Sequence, residues 1–221
     1  MASKTTSKKA AAGAASSAPH KSAAAKGRAP KAKKAGFKRV HALDPAVTGM
    51  TLEQIALRYV ARFGERKPDW SAFADAKIEG WRRAQHRFIG NTSGKPGEDY
   101  IPAAGFTLSV MYVPPGQGNA SHTHEIEEVF FVLQGHLTVF FEEENGRRID
   151  LVLGPWDCVS CPAGVIHGYH NNTVEPVYTQ VMVGKARPDF MGYADTTLNK
   201  KRASHLNPSL AAAELAEREV R

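Results

Sequence analysis

Residues 116–135 read Gly116-Gln-Gly-Asn-Ala-Ser-His122-Thr-His124-Glu-Ile-Glu-Glu128-Val-Phe-Phe-Val-Leu-Gln-Gly135, and the fold turns on how this stretch is read. Two histidines stand at i and i+2, and a carboxylate follows four residues later, directly before an apolar run. A strand sends alternate side chains to one face, so His122 and His124 can point at the same spot. Imidazole with carboxylate is the donor set of a borderline divalent metal rather than of calcium or magnesium. A metal site built on strands is therefore the first expectation.

Working outward, short strands punctuated by turns run on both sides. Trp81–Ile89, Phe106–Val113, Val129–Leu133 and His136–Glu142 read as strands, and Asn145-Gly146 is a strong hairpin turn. Ile149–Leu153, Asp157–Ser160, Gly168–Asn171 and Val177–Val183 complete the series. This spacing predicts an all-β core of sandwich, jelly-roll or barrel type rather than a βαβ fold. Before it, Thr51-Leu-Glu-Gln54 reads as a capping box opening a helix over 52–63, with a shorter second helix over 69–79. Trp70 and Phe73 would dock that segment. After Lys185, Asn207-Pro208 reads as the start of a short helix to about residue 219. Four regions follow: a tail over 1–39, a helical extension over 40–80, the β-barrel over 81–185, and a C-terminal extension over 186–221.

A second cluster lies some forty residues beyond the first, in Pro162-Ala-Gly164-Val-Ile-His167-Gly-Tyr-His170-Asn171. In an antiparallel bowl His167 can return to the point faced by His122, His124 and Glu128. Three imidazoles and one carboxylate would then hold a metal and leave positions open, as a catalytic site requires. Here the chain resembles the cupin superfamily. Its first motif is matched at Gly116, His122, His124, Glu128 and Gly135, and its second at Pro162, Gly164, His167 and Asn171. The glycine that opens the second motif is replaced by Trp156. The resemblance covers about residues 100–185 and implies a small jelly-roll barrel, often dimeric, with a metal at its centre.

Around those ligands, His86, Tyr112, Tyr169 and Gln180 sit on strands as candidate substrate-pocket residues. His170, three past His167, faces the other way in an extended segment. His136, Glu125 and Glu127 read as solvated. The resemblance implies a chemistry but not a single one. The leading expectation is a non-haem Fe(II) dioxygenase-type oxidoreductase acting on a small aromatic or enolic substrate, with Glu128 both ligand and proton acceptor. The alternatives are a Mn, Ni or Zn enzyme of isomerase, decarboxylase or lyase type, and a ligand-binding cupin without turnover.

The net charge of +7 describes the tail, not the domain. Residues 1–39 hold eleven of the 29 Lys and Arg and none of the 22 Asp and Glu, which leaves the remainder at −4. The tail is built of Ala, Lys, Ser, Gly and Pro without an apolar face, so disorder is expected. Two readings of it stand side by side: a salt-sensitive contact with nucleic acid or another polyanion, and a solvated segment with no partner. It has no apolar core of a secretory signal, and no apolar run approaches the length of a membrane span. Two cysteines, Cys158 and Cys161, suggest a reducing, cytoplasmic setting. Three residues apart on a strand, they face opposite sides and are expected as buried structural thiols.

Overall fold

Alternation of apolar and polar residues is what builds the ten strands seen among the described residues. The computed structural model describes residues 39–90, 100–184 and 191–205, the last five by backbone alone. The strands are β1 (Ala84–Ile89), β2 (Thr107–Val113), β3 (His122–Thr123), β4 (Glu128–Gln134) and β5 (Leu137–Glu142), followed by β6 (Arg148–Leu153), β7 (Cys158–Cys161), β8 (Ile166–His170), β9 (Val177–Val183) and β10 (Gly192–Tyr193). They form two five-stranded antiparallel sheets, ordered β1-β2-β9-β4-β7 and β10-β3-β8-β5-β6. This is the jelly-roll arrangement of an all-β core.

Register decides which side chains face inward, because residues paired across strands share a face. Phe130 pairs with Val181 and Val159, and Val181 pairs with Ser109. One row along, Val132 pairs with Thr179, which pairs with Met111. The second sheet answers with Leu137, Val139 and Tyr169, and together these close the core. Each such aliphatic or aromatic side chain contributes about 1.5–3 kcal/mol on burial.

The segments flanking the barrel depart from the pattern-based expectation. Helix α1 (Leu52–Tyr59) begins with the expected capping box between Thr51 and Gln54 but stops at Tyr59, not at 63. No residue of α1 is buried, so nothing holds a longer helix. Val60 is extended, and Phe63 instead lays its ring against His86 at 4.9 Å and Tyr178 at 5.7 Å. The second expected helix is replaced by turns and one 3-10 turn, Asp75–Lys77. Asp69 there pairs its backbone with Gln85 at the edge of β1, which a helix could not do. Trp70 does dock as expected, edge-on to Tyr112.

On the C-terminal side a helix not anticipated from sequence, α2 (Thr196–His205), follows β10. The Asp195 carboxylate accepts from the Thr197 and Leu198 amides and caps it. The tail and the helix expected beyond Pro208 lie outside the described residues. Residues 1–48 form a separate unit from 49–221, and in its described part Asp44 caps a 3-10 turn, Pro45–Val47. No helix among the described residues is long and apolar enough to cross a membrane.

Trp156 stands where the second motif has its opening glycine. It is the one non-glycine among the described residues with a positive φ, at 75°. Trp156 thus holds a left-handed backbone that glycine would adopt without steric penalty, at a cost of about 1–2 kcal/mol. Asp157 helps hold it by accepting from the Gly154 amide at 2.8 Å, and the Trp156 amide donates to the Val132 carbonyl at 2.8 Å.

Candidate metal centre

The loop before β3 lies tight against β8. A Cβ on Gly118 would meet the Tyr169 carbonyl oxygen, so only glycine allows the approach. The Asn119 amide donates to the Tyr169 carbonyl at 3.0 Å, and the Asn119 side-chain oxygen accepts from the Tyr169 amide at 2.7 Å. The loop so pinned delivers His122 opposite His167 in the β3–β8 ladder, which sets the two imidazoles side by side on the inner face. His124 follows two residues on, and Glu128 opens β4 in the facing sheet.

Four buried donors from both sheets therefore converge. The Nε2 atoms of His122 and His124 each lie 3.4 Å from Glu128 Oε2, and that of His167 lies 3.1 Å away. All four donor atoms fall within 4.8 Å of one another, and this is the one such group found among the described residues. The His122 Nδ1 faces the Ala120 carbonyl at 2.8 Å, and the His167 Nδ1 faces the Val165 carbonyl at 2.7 Å. A carbonyl only accepts, so both protons sit on Nδ1 and both Nε2 lone pairs point inward.

Electrostatics agree with a site prepared for a cation. Burial weighs most on Glu128 and would raise its pKa, but attraction to His124 and the close approach of the three imidazoles outweigh it and hold the carboxyl well below its ordinary range. Burial lowers His122, favouring the neutral ring. A buried carboxylate facing imidazole lone pairs is a costly arrangement until a positive charge joins it. The donor set fits a first-row divalent metal.

Next to the donors, Phe130 packs its ring on His167 at 6.0 Å and edge-on to Tyr169 at 5.2 Å. Tyr169 points inward with its hydroxyl at Arg83, and burial pushes its phenol up, so it stays protonated. Cys161 also faces inward, paired with Glu128 across β4 and β7. Burial and then Glu128 raise its thiol. Cys158 faces out and is exposed, which corrects the expectation that both thiols are buried.

Three of the candidate pocket residues lie on the face of their sheet opposite the metal donors. Gln180 pairs with Phe131 and Val110, while Tyr112 pairs with Ala84 and Tyr178. His86 lies opposite Val110. All belong to the rows that alternate with the inward ones and so lie on the outer face, where Phe63 covers His86 and Trp70 meets Tyr112. The inward polar residues are ones sequence reasoning missed: Gln85, whose amide donates to the Ser109 hydroxyl at 3.3 Å, with Thr107 and Thr179. Their signal was alternation with Leu108, Val110 and Tyr112, which fixes two faces but not which one is inside.

The remaining polar candidates sit away from the cluster. His170 faces Asn172 at 2.7 Å, His136 and Glu125 are exposed, and Glu127 bonds Ser160. A surface hollow of about 520 Å³ lined by Thr123, Glu142 to Glu144 and Ile166 contains none of the four donors.

A family model covers the strands that carry the four donors. Residues 109–183 match the family described as the Cupin domain. Dimethylsulfoniopropionate lyase DddQ of Ruegeria pomeroyi is 29% identical over 162 residues, covering 60% of this chain and 78% of that protein. Among solved structures, the polyketide cyclase RemF of Streptomyces resistomycificus aligns with a TM-score of 0.48 at 16% identity, over 69% of this chain and 96% of that one. TT1209 of Thermus thermophilus aligns with a TM-score of 0.34 at 27% identity, over 38% and 75% of the two chains. With both histidine motifs converging inside a two-sheet jelly roll and the family matched across its strands, residues 109–183 form a cupin domain.

Proposed function

We propose that the chain is a metal-dependent enzyme of non-oxidative, lyase-type chemistry on a small carboxylate substrate, with His122, His124, Glu128 and His167 holding the metal. The observation that carries the reading is the convergence of four buried donors with both assigned Nε2 lone pairs turned inward. A bound Fe(II), Mn(II), Ni(II) or Zn(II) supplies a Lewis acid that polarises a carboxylate or enolate, and as Fe(II) it also supplies a partner for O₂. Lyase chemistry is favoured over oxidation because a protein named as a lyase aligns over 78% of its length.

The chain's own residues then bind and orient. Tyr169, buried and protonated, turns its hydroxyl to the Arg83 guanidinium, so its ring rather than its hydroxyl backs the site. Phe130 and Val181 form an apolar wall that excludes water, while Gln85 and Ser109 present polar atoms from neighbouring strands of the same sheet. In an elimination, Glu128 would take the proton beside the carboxylate, the C–H electron pair would form the double bond, and the β-substituent would depart with the electron pair of its own bond.

The Fe(II) dioxygenase reading stands second, favoured by the same donor set against that apolar wall. One assay separates the two. The full chain, loaded with each metal in turn, is incubated under argon with β-substituted propionates, dimethylsulfoniopropionate included, and olefin formation is followed. Turnover under argon is expected. Turnover of an aromatic or enolic substrate only when oxygen is admitted would replace the lyase reading with the dioxygenase, and tight binding without turnover would make the protein a ligand-binding cupin.

A further inference from the structure

A second buried constellation lies behind the metal centre, and most of it comes from outside residues 109–183. Asp75 and Arg83 are both buried, and the guanidinium Nη2 lies 2.9 Å from Asp75 Oδ1. The Tyr193 hydroxyl donates to the same Oδ1 at 3.0 Å. The other carboxylate oxygen, Oδ2, accepts the Ala120 amide at 3.0 Å. Arg83 also donates to the carbonyls of Trp81 and Gly118, at 3.0 and 3.4 Å, and lies over the Phe73 ring. Asp75 thus grips Ala120 from one side while the Ala120 carbonyl holds the His122 Nδ1 from the other at 2.8 Å.

The C-terminal segment reaches the same spot. Tyr193 pairs directly with His122 in the β10–β3 ladder, and the next residue's amide donates to the Ser121 carbonyl at 2.9 Å. His122 is therefore enclosed between an N-terminal ion pair and a C-terminal strand, whereas the Nδ1 of His167 rests on the Val165 carbonyl of its own turn.

Stability alone is a poor reason for this arrangement. Removing two charges from water costs several kcal/mol each, and apolar replacements of buried pairs are often neutral or stabilising. A pair with all its hydrogen bonds satisfied does fix geometry. Partners behind a metal-bound imidazole set its orientation and thereby the affinity of the centre.

We propose that Asp75, with Arg83 and Tyr193, is a positioning clamp for His122, so that segments flanking the family-matched strands set how tightly and in what geometry the centre holds its metal. The inference rests on the metal-binding reading above. Two variants of the full chain test it: Tyr193→Phe, which removes one hydroxyl, and the charge-neutral double substitution Asp75→Asn with Arg83→Met. For each, Co(II) affinity, the Co(II) absorption spectrum and the melting temperature of the metal-free protein are measured.

The clamp predicts a Co(II) dissociation constant raised by about 10–100-fold in the double variant, less in Tyr193→Phe, with a shifted spectrum in both. If the double variant does not fold, Tyr193→Phe alone decides. Unchanged affinity and spectrum, even with an altered melting temperature, would reduce the constellation to structural packing and overturn the clamp. A wild-type chain that takes up no Co(II) would overturn the metal reading and the clamp together. Wild-type uptake with unaffected variants would overturn the clamp alone.

Discussion

The two faces of the sheet β1-β2-β9-β4-β7 carry similar residue types and do different work. Inside, Phe130, Val132 and Val181 close an apolar core that begins one row below Glu128. Outside, Tyr112, Tyr178 and His86 form an aromatic layer that receives Phe63 and Trp70 from the N-terminal segment. Both faces are covered, so polarity does not tell them apart. Position relative to a metal donor does.

The largest expected difference between the faces is in stability. Phe130→Ala opens a cavity in a fully enclosed site and should cost about 3–5 kcal/mol. Tyr178→Ala, half-buried on the outer face, should cost about 1 kcal/mol. Urea unfolding of the metal-free protein measures both, and equal losses would erase the proposed distinction between core and cover.

A pH effect comes next. Burial holds His86 below its ordinary value, and its contact with the Val110 carbonyl at 3.3 Å offsets this only in part. The unfolded chain takes up that proton near pH 6.5, and the folded chain resists it. The contribution of His86 to stability is therefore full above about pH 6.5 and lost progressively as pH falls towards its folded value. His86→Phe should flatten the decline of melting temperature between pH 7 and pH 5. A variant that declines as steeply as the wild type would place the pH sensitivity elsewhere.

The smallest expected effect concerns the rim. Trp156→Gly relieves a left-handed backbone but adds chain entropy and removes a ring packed 6.1 Å from Phe131, so a net gain below about 1 kcal/mol is expected. A clear loss of melting temperature would mean that the Phe131 contact outweighs the strain.

Much of this was legible in the sequence. The strands fall close to their expected places because alternation and turn residues are local signals, and Asn145-Gly146 does connect β5 to β6. The donors were legible because two spaced motifs name them. The pocket was not, because His86, Tyr112 and Gln180 alternate just as Gln85, Ser109 and Thr179 do, and only pairing with β4 says which set is inside. The Asp75 clamp had no local signal at all: its members are separated by up to 118 residues and meet only in the fold. The shortened α1 reflects tertiary demand on Phe63, which amphipathic spacing could not foresee.

The central claim is that one metal is held by donors on the inner face and none by the candidate residues on the outer face. Equilibrium dialysis against Co(II), with metal analysis of the dialysed protein, tests it directly in the wild type, His167→Ala and Gln180→Ala. The account predicts one equivalent per chain in the wild type and in Gln180→Ala, and loss of stoichiometric binding in His167→Ala. Full occupancy in His167→Ala, or its loss in Gln180→Ala, would contradict it.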